Sequence, residues 1–231
     1  MPHGITHRDN FTWLLCGLVF LLFSGAIFSQ IESQQGQRLV NISLMITMLV
    51  AVWSMEQDQN QRRNMKIGMS LVIASLMIGD SILEDNRLSF VQLVIAFSFL
   101  SLTTFQAWRQ VMFTGQIDRN KIIGAICIYM LLGVVWGFGY LLIEAIFPNS
   151  FNGLDHVAWQ HNLQDMLYYS MVTLSTLGYG DITPAQPVAR FFAYMESITG
   201  IFYTTVLVAS LIGIRLASYH PPQKTDDDQT E

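Results

Sequence analysis

Four stretches of the 231-residue chain carry no Asp, Glu, Lys or Arg: Phe11–Ile31 with 21 residues, Leu88–Trp108 with 21, Ile122–Ile143 with 22 and Ser197–Ile214 with 18. A helix rises about 1.5 Å per residue, so roughly 20 apolar residues cross the ~30 Å hydrocarbon core of a bilayer. A soluble fold has no use for four such runs, because a surface helix needs a polar face. Composition agrees, with 52% apolar residues and only 13% charged, where a soluble domain carries about 25% charge. The expectation is an all-α integral membrane protein, and a soluble enzyme is excluded. The net charge of −5 leaves no basic patch, so no nucleic-acid partner is expected. Cys16 and Cys127 each sit inside an apolar run, which indicates no disulfide framework.

Six spans fit the pattern, at 11–29, 39–55, 65–83, 88–106, 122–147 and 187–217. The third is the weakest, since Lys66 starts it and Asp80, Glu84 and Asp85 end it. The stretch 164–181 is apolar but too short to cross, and it ends in glycines. It reads as a re-entrant segment, which is tolerated where protein or a water-filled cavity surrounds the backbone. With the N-terminus inside, nine of the 12 Lys and Arg fall on the inner side and Arg38, Arg87 and Arg190 on the outer. The positive-inside rule therefore puts both termini in the cytoplasm and opens the re-entrant segment outward. Ser24 and Ala26 sit where a signal-peptide cut would fall, but the apolar run is longer than the usual 7–15 residues. The organisation expected is a cytoplasmic N-terminus at 1–10, a four-helix membrane domain at 11–113, a second membrane unit at 114–217 and a polar tail at 218–231.

The second unit holds Thr173-Leu174-Ser175-Thr176-Leu177-Gly178-Tyr179-Gly180-Asp181 between its two long spans. This run resembles the filter signature of the tetrameric potassium channel family, Thr-x-x-Thr-Val-Gly-Tyr-Gly-Asp, with Leu177 in place of the commoner Val. The resemblance covers about 122 to 217: outer helix, pore helix, filter and inner helix. It also takes in Tyr168-Tyr169, where the family often has an aromatic pair, and Ile182-Thr183-Pro184. It implies a potassium-selective pore, with Thr176, Leu177, Gly178, Tyr179 and Gly180 as the filter and K+ held through Thr176, Leu177, Gly178 and Tyr179. Asp181, Tyr169 and Thr173 would support it, Asp181 bonding to Tyr169 behind the strand.

Physical chemistry explains the residue types. Backbone carbonyls from four strands replace the water of an ion with dipoles instead of full charges, so ions bind and still leave. All carbonyls of one strand face an axis only if some residues take angles that L-residues avoid, which calls for Gly178 and Gly180. The pore helix, about Leu163 to Ser175, would aim its negative end at the cavity below. No internal repeat is visible, so the ring needs three further identical subunits. No catalytic residue is expected, and no cofactor beyond K+ as the permeant ion. Leu177 and the compact chain suggest a bacterial inner (plasma) membrane.

Gly200, roughly 20 residues past the last filter glycine, is a candidate gating hinge; close packing on the pore helix is the alternative. Thr204, Thr205 and Ser210 are candidates to face the cavity, though backbone bonding explains such hydroxyls equally. The first four spans resemble a voltage sensor only in number. Between Leu88 and Trp108 there is no charge, and steep gating needs several. Nothing in the chain names the gate, which leaves room for an unidentified partner. Glu144 and Glu196 are candidates to brace the filter. Asp155, His156, His161 and Asp165 form a weaker cluster that could bind a metal or sense pH. Two rival functions stay open: an ion transporter or uptake subunit with a filter-like loop, and a regulatory channel subunit.

Overall fold

The computed structural model describes residues 10–28, 34–54, 66–68, 70–71, 86–113, 119–154 and 159–217. Its elements run α1 (Asn10–Phe28), α2 (Gln34–Ser54), α3 (Asn86–Phe113), α4 (Arg119–Ile146), β1 (Phe151–Asn152), α5 (Leu163–Leu174), β2 (Thr183–Pro184) and α6 (Pro187–Ala217). All six helices match expected segments to within a turn or two, α5 being the short one expected at 163–175. The third span, 65–83, falls largely outside the described residues, as do Asp80, Glu84, Asp85, Asp155, His156 and the tail 218–231.

Among the described residues, three stretches are long and apolar enough to cross a membrane: Phe11–Phe28, Ser89–Val111 and Asn120–Ile146. The apolar part of α2 is shorter, Leu39–Ala51. The chain is therefore mostly helical and a multi-pass membrane protein. Large apolar side chains such as Trp13, Phe23, Leu49 and Phe105 are exposed, which suits hydrocarbon rather than water.

The core lies where α1 packs on α2 and α4, and α4 on α3 and α5. Leu14, Leu18, Leu21, Leu44, Met48, Leu93, Phe99 and Phe138 fill it, all nearly or fully buried. In lipid, helices associate through close packing because small residues let backbones approach. Gly17 meets Val50 this way, and Thr47 Oγ1 donates to the Gly17 carbonyl at 3.1 Å. In α4, Gly133 and Gly137 sit one turn apart against Met171 and Leu167 of α5. Proline marks two helix boundaries: Pro148 follows the end of α4, where a helix cannot continue, and Pro187 opens α6, where a missing N–H costs nothing.

The segment from α4 to α6 is stitched at its outer end. β1 pairs antiparallel with β2, Phe151 opposite Pro184 and Asn152 opposite Thr183. The Ser150 carbonyl accepts from the Ala185 N–H at 2.8 Å. Trp159 Nε1 donates to the Ser89 carbonyl at 2.9 Å, tying the approach to α5 onto the start of α3.

Candidate functional site

The pore helix expected at Leu163–Ser175 is α5, which ends at Leu174. Its end is a Schellman cap. The Leu177 N–H bonds to the Val172 carbonyl at 2.9 Å, and the Thr176 N–H to the Thr173 carbonyl at 2.9 Å. That pattern requires the residue between, Thr176, to be left-handed, a place usually taken by glycine. Thr176 has φ of 59°. The cap thus launches the strand, and its first residue is already in the unusual conformation.

Gly178 follows with φ of 60° and Gly180 with φ of 83°, while Leu177 and Tyr179 keep negative φ. Left-handed residues therefore alternate with ordinary ones at 176, 178 and 180. Alternation turns successive peptide planes back toward one side, which a regular strand of L-residues, with its alternating carbonyls, does not do. Glycine tolerates these angles; the left-handed form costs other L-residues about 1–2 kcal/mol each. The need of Gly178 and Gly180 for special angles was legible in the sequence. The strained Thr176 was not, since threonine carries no signal for a left-handed position.

Residues 175–181 are all exposed in the single chain. The Tyr179 ring lies parallel to that of Tyr168 on α5, centroids 6.5 Å apart. Tyr168 stands beside the Asp181 carboxylate, and this contact, with backbone N–H groups beside it, holds Asp181 below the usual carboxylate range. Here the structure corrects the sequence reading: Asp181 meets Tyr168, and Tyr169 turns away. The two neighbours point about 100° apart around the helix, so only one faces the strand. Tyr169 is buried instead against Tyr140 and Phe151, with ring centroids 5.0 Å and 5.4 Å away.

Thr173 is a junction. Its carbonyl accepts from the Thr176 N–H and from Ser197 Oγ of α6 at 3.2 Å. One turn further along α6, a Cβ added at Gly200 would stand 2.0 Å from the Leu174 carbonyl oxygen. α6 runs unbroken through this position, and the missing side chain lets it pack closely on the end of α5. Thr204 and Thr205 bond back to carbonyls of their own helix, at 3.0 Å and 2.8 Å.

Both glutamates singled out in the sequence make defined contacts. Glu144 accepts from the N–H groups of Asn149 and Ser150 at 2.8 Å and 2.9 Å, closing the turn after α4. Glu196 is fully buried between α4, α5 and α6, where Tyr140 and Ser170 reach it. His161 and Asp165 are exposed, and among the described residues no cluster of three His, Cys, Asp or Glu could hold a metal.

Residues 125–215 match the family described as ion channel, a family of channels rather than of enzymes. The chain is 30% identical over 93 residues to two-pore potassium channel 2 of Arabidopsis thaliana, which covers 40% of this chain and 18% of that one. It is 29% identical over 96 residues to a voltage-gated potassium channel of Aeropyrum pernix, covering 42% and 29%. A shorter match, 40% over 52 residues, is to two pore potassium channel c of Oryza sativa subsp. japonica, covering 22% and 11%. The chain thus spans between about a tenth and three tenths of the length of these relatives. No solved structure matches it.

Proposed function

With residues 125–215 similar to the ion-channel family, we propose that this chain is one subunit of a homotetrameric, potassium-selective channel conducting K+ passively. The observation that carries the reading is the alternation of left-handed residues at Thr176, Gly178 and Gly180. Four copies of such a strand around an axis would supply rings of carbonyl oxygens, the arrangement that strips and replaces the hydration of K+. Thr176, Leu177, Gly178 and Tyr179 are the residues whose oxygens hold the ion in this reading, and Gly180 completes the turn outward. Asp181, Tyr168 and Thr173 support the strand.

The exposure of Leu177 and Tyr179, 56% and 67%, fits the same reading, because neighbouring subunits would cover them. Six spans per subunit, both termini on the cytoplasmic side and a prokaryotic plasma membrane complete the proposal. It divides the chain into the four-helix part at 11–113 and the pore part at 114–217. The relatives named as two-pore and voltage-gated potassium channels support potassium as the ion.

The first four spans are proposed to surround the pore without sensing voltage. α3 carries no charge between Leu88 and Trp108, and each gating charge yields only about 2.3 kcal/mol per 100 mV. Conductance recorded from −100 to +100 mV is expected to show no steep sigmoid, and one moving several charges would contradict this.

Purified protein in liposomes tests the main proposal. The expected result is K+ flux that excludes Na+ and is blocked by barium. Flux that saturates and requires a co-ion would favour a transporter, and no flux at all a regulatory subunit.

A further inference from the structure

The one fully buried acidic side chain among the described residues is Glu196, and its surroundings fix a hydrogen count. Ser170 Oγ lies 2.5 Å from Glu196 Oε1 and 2.6 Å from the Gly133 carbonyl oxygen. Tyr140 Oη lies 2.5 Å from Glu196 Oε2. Ser170 has a single hydroxyl hydrogen. Were Glu196 ionised, that hydrogen would have two acceptors, and one of the two close approaches would set lone pairs against each other. With the hydrogen on Oε1, every contact is filled once. Glu196 donates to Ser170, Ser170 donates to Gly133, and Tyr140 donates to Oε2.

The environment points the same way. Tyr140 and Gly133 come from α4, Ser170 and Tyr169 from α5, and these are neutral groups. No Lys, Arg or His ion pair to Glu196 is found among the described residues. A buried carboxylate without a cation is costly enough that such groups take up a proton instead.

We propose that Glu196 is kept as the neutral acid and acts as a positioning residue. Its O–H, relayed through Ser170 to Gly133, pins the pore helix between the outer and inner helices. The next turn of α5 carries Thr173, and the cap that launches the strand begins there. The consequence for ion selection rests on the channel reading; the protonation state does not.

Infrared difference spectra between the wild type and E196Q in lipid at neutral pH test the first half. The expected result is a protonated-carboxyl C=O band present in the wild type and absent from E196Q; a carboxylate band in its place overturns the proposal. The side-chain amide of E196Q would reproduce the neutral acid's pattern, one donor toward Ser170 and one acceptor toward Tyr140. E196Q is therefore expected to keep the wild-type K+/Na+ flux ratio, while E196A and S170A lose about tenfold. Should E196A fail to fold, S170A leaves the carboxyl in place and carries the test alone. An unchanged ratio in S170A, or a loss in E196Q equal to that in E196A, overturns the positioning role. A wild type that passes no K+ overturns the channel reading and the positioning role with it, and the infrared band still decides the protonation.

Discussion

The helices before residue 114 and the segment after it are held by different kinds of contact. In α1, α2 and α3 the buried apolar side chains are mostly leucine, methionine and phenylalanine. Their hydroxyls mostly bond to their own helix, as Ser24 to Leu21, Ser43 to Val40, Ser98 to Val94 and Thr104 to Leu100. From α4 onward, specific hydrogen bonds cross between elements: Glu196 with both Tyr140 and Ser170, Ser197 to Thr173, Tyr203 to the Ala125 carbonyl. Every positive φ among the described residues also lies there, at Asn149, Gly153, Thr176, Gly178 and Gly180. Apolar packing tolerates exchange of similar volumes. A backbone held in sparsely populated angles persists only where the surroundings over-determine it. The segment from α4 onward is built to hold one shape, and the helices before it to fill space in lipid.

Substitutions in the two parts should separate by their effect on K+/Na+ discrimination. The largest loss is expected from Gly178→Ala, since Ala resists φ of 60° by about 1–2 kcal/mol in each subunit. Liposome flux should lose selectivity while membrane insertion stays intact, and surviving selective flux would break the comparison. Next comes Gly200→Ala, whose new methyl collides with the Leu174 carbonyl and must push α6 off the pore helix. Reduced selectivity together with a lower melting temperature of the assembly is expected; higher activity with unchanged stability would instead favour a hinge.

Tyr168→Phe should have a smaller effect, loosening only the outer end of the strand. It also fixes a pH sign. Because Asp181 is held below its ordinary range by Tyr168, the contact is intact above that range and lost as pH falls through the lowered value. Wild-type selectivity should therefore decline on strong acidification, and Tyr168→Phe should start lower and respond less. The smallest effect on discrimination is expected from Leu18→Ala. It removes a buried contact of about 2–5 kcal/mol from the core of α1, so stability should fall while the K+/Na+ ratio holds. A changed ratio would show that α1 sets the shape of the pore.

What was readable in the chain was local. Uncharged runs located α1, α3, α4 and α6, and the resemblance of Thr173–Asp181 to a known family signature pointed to the strand, because each signal lies within one segment. The partners of the polar side chains were not readable, since they join residues far apart: Tyr140 and Ser170 stand 56 and 26 positions from Glu196. Choosing between Tyr168 and Tyr169 needed the rotation of one short helix, which sequence does not give to within one residue. Thr176 stayed hidden for another reason. Its conformation is imposed by the cap of α5, where the usual glycine is replaced.

The central claim is that four identical strands face one axis with their carbonyl oxygens. Thallium, a heavy mimic of K+, tests it directly when soaked into the assembled protein in a bilayer and located by its scattering. The account predicts a column of sites on a fourfold axis beside the carbonyls of residues 176–179. A monomer, or thallium bound away from that axis, would contradict it.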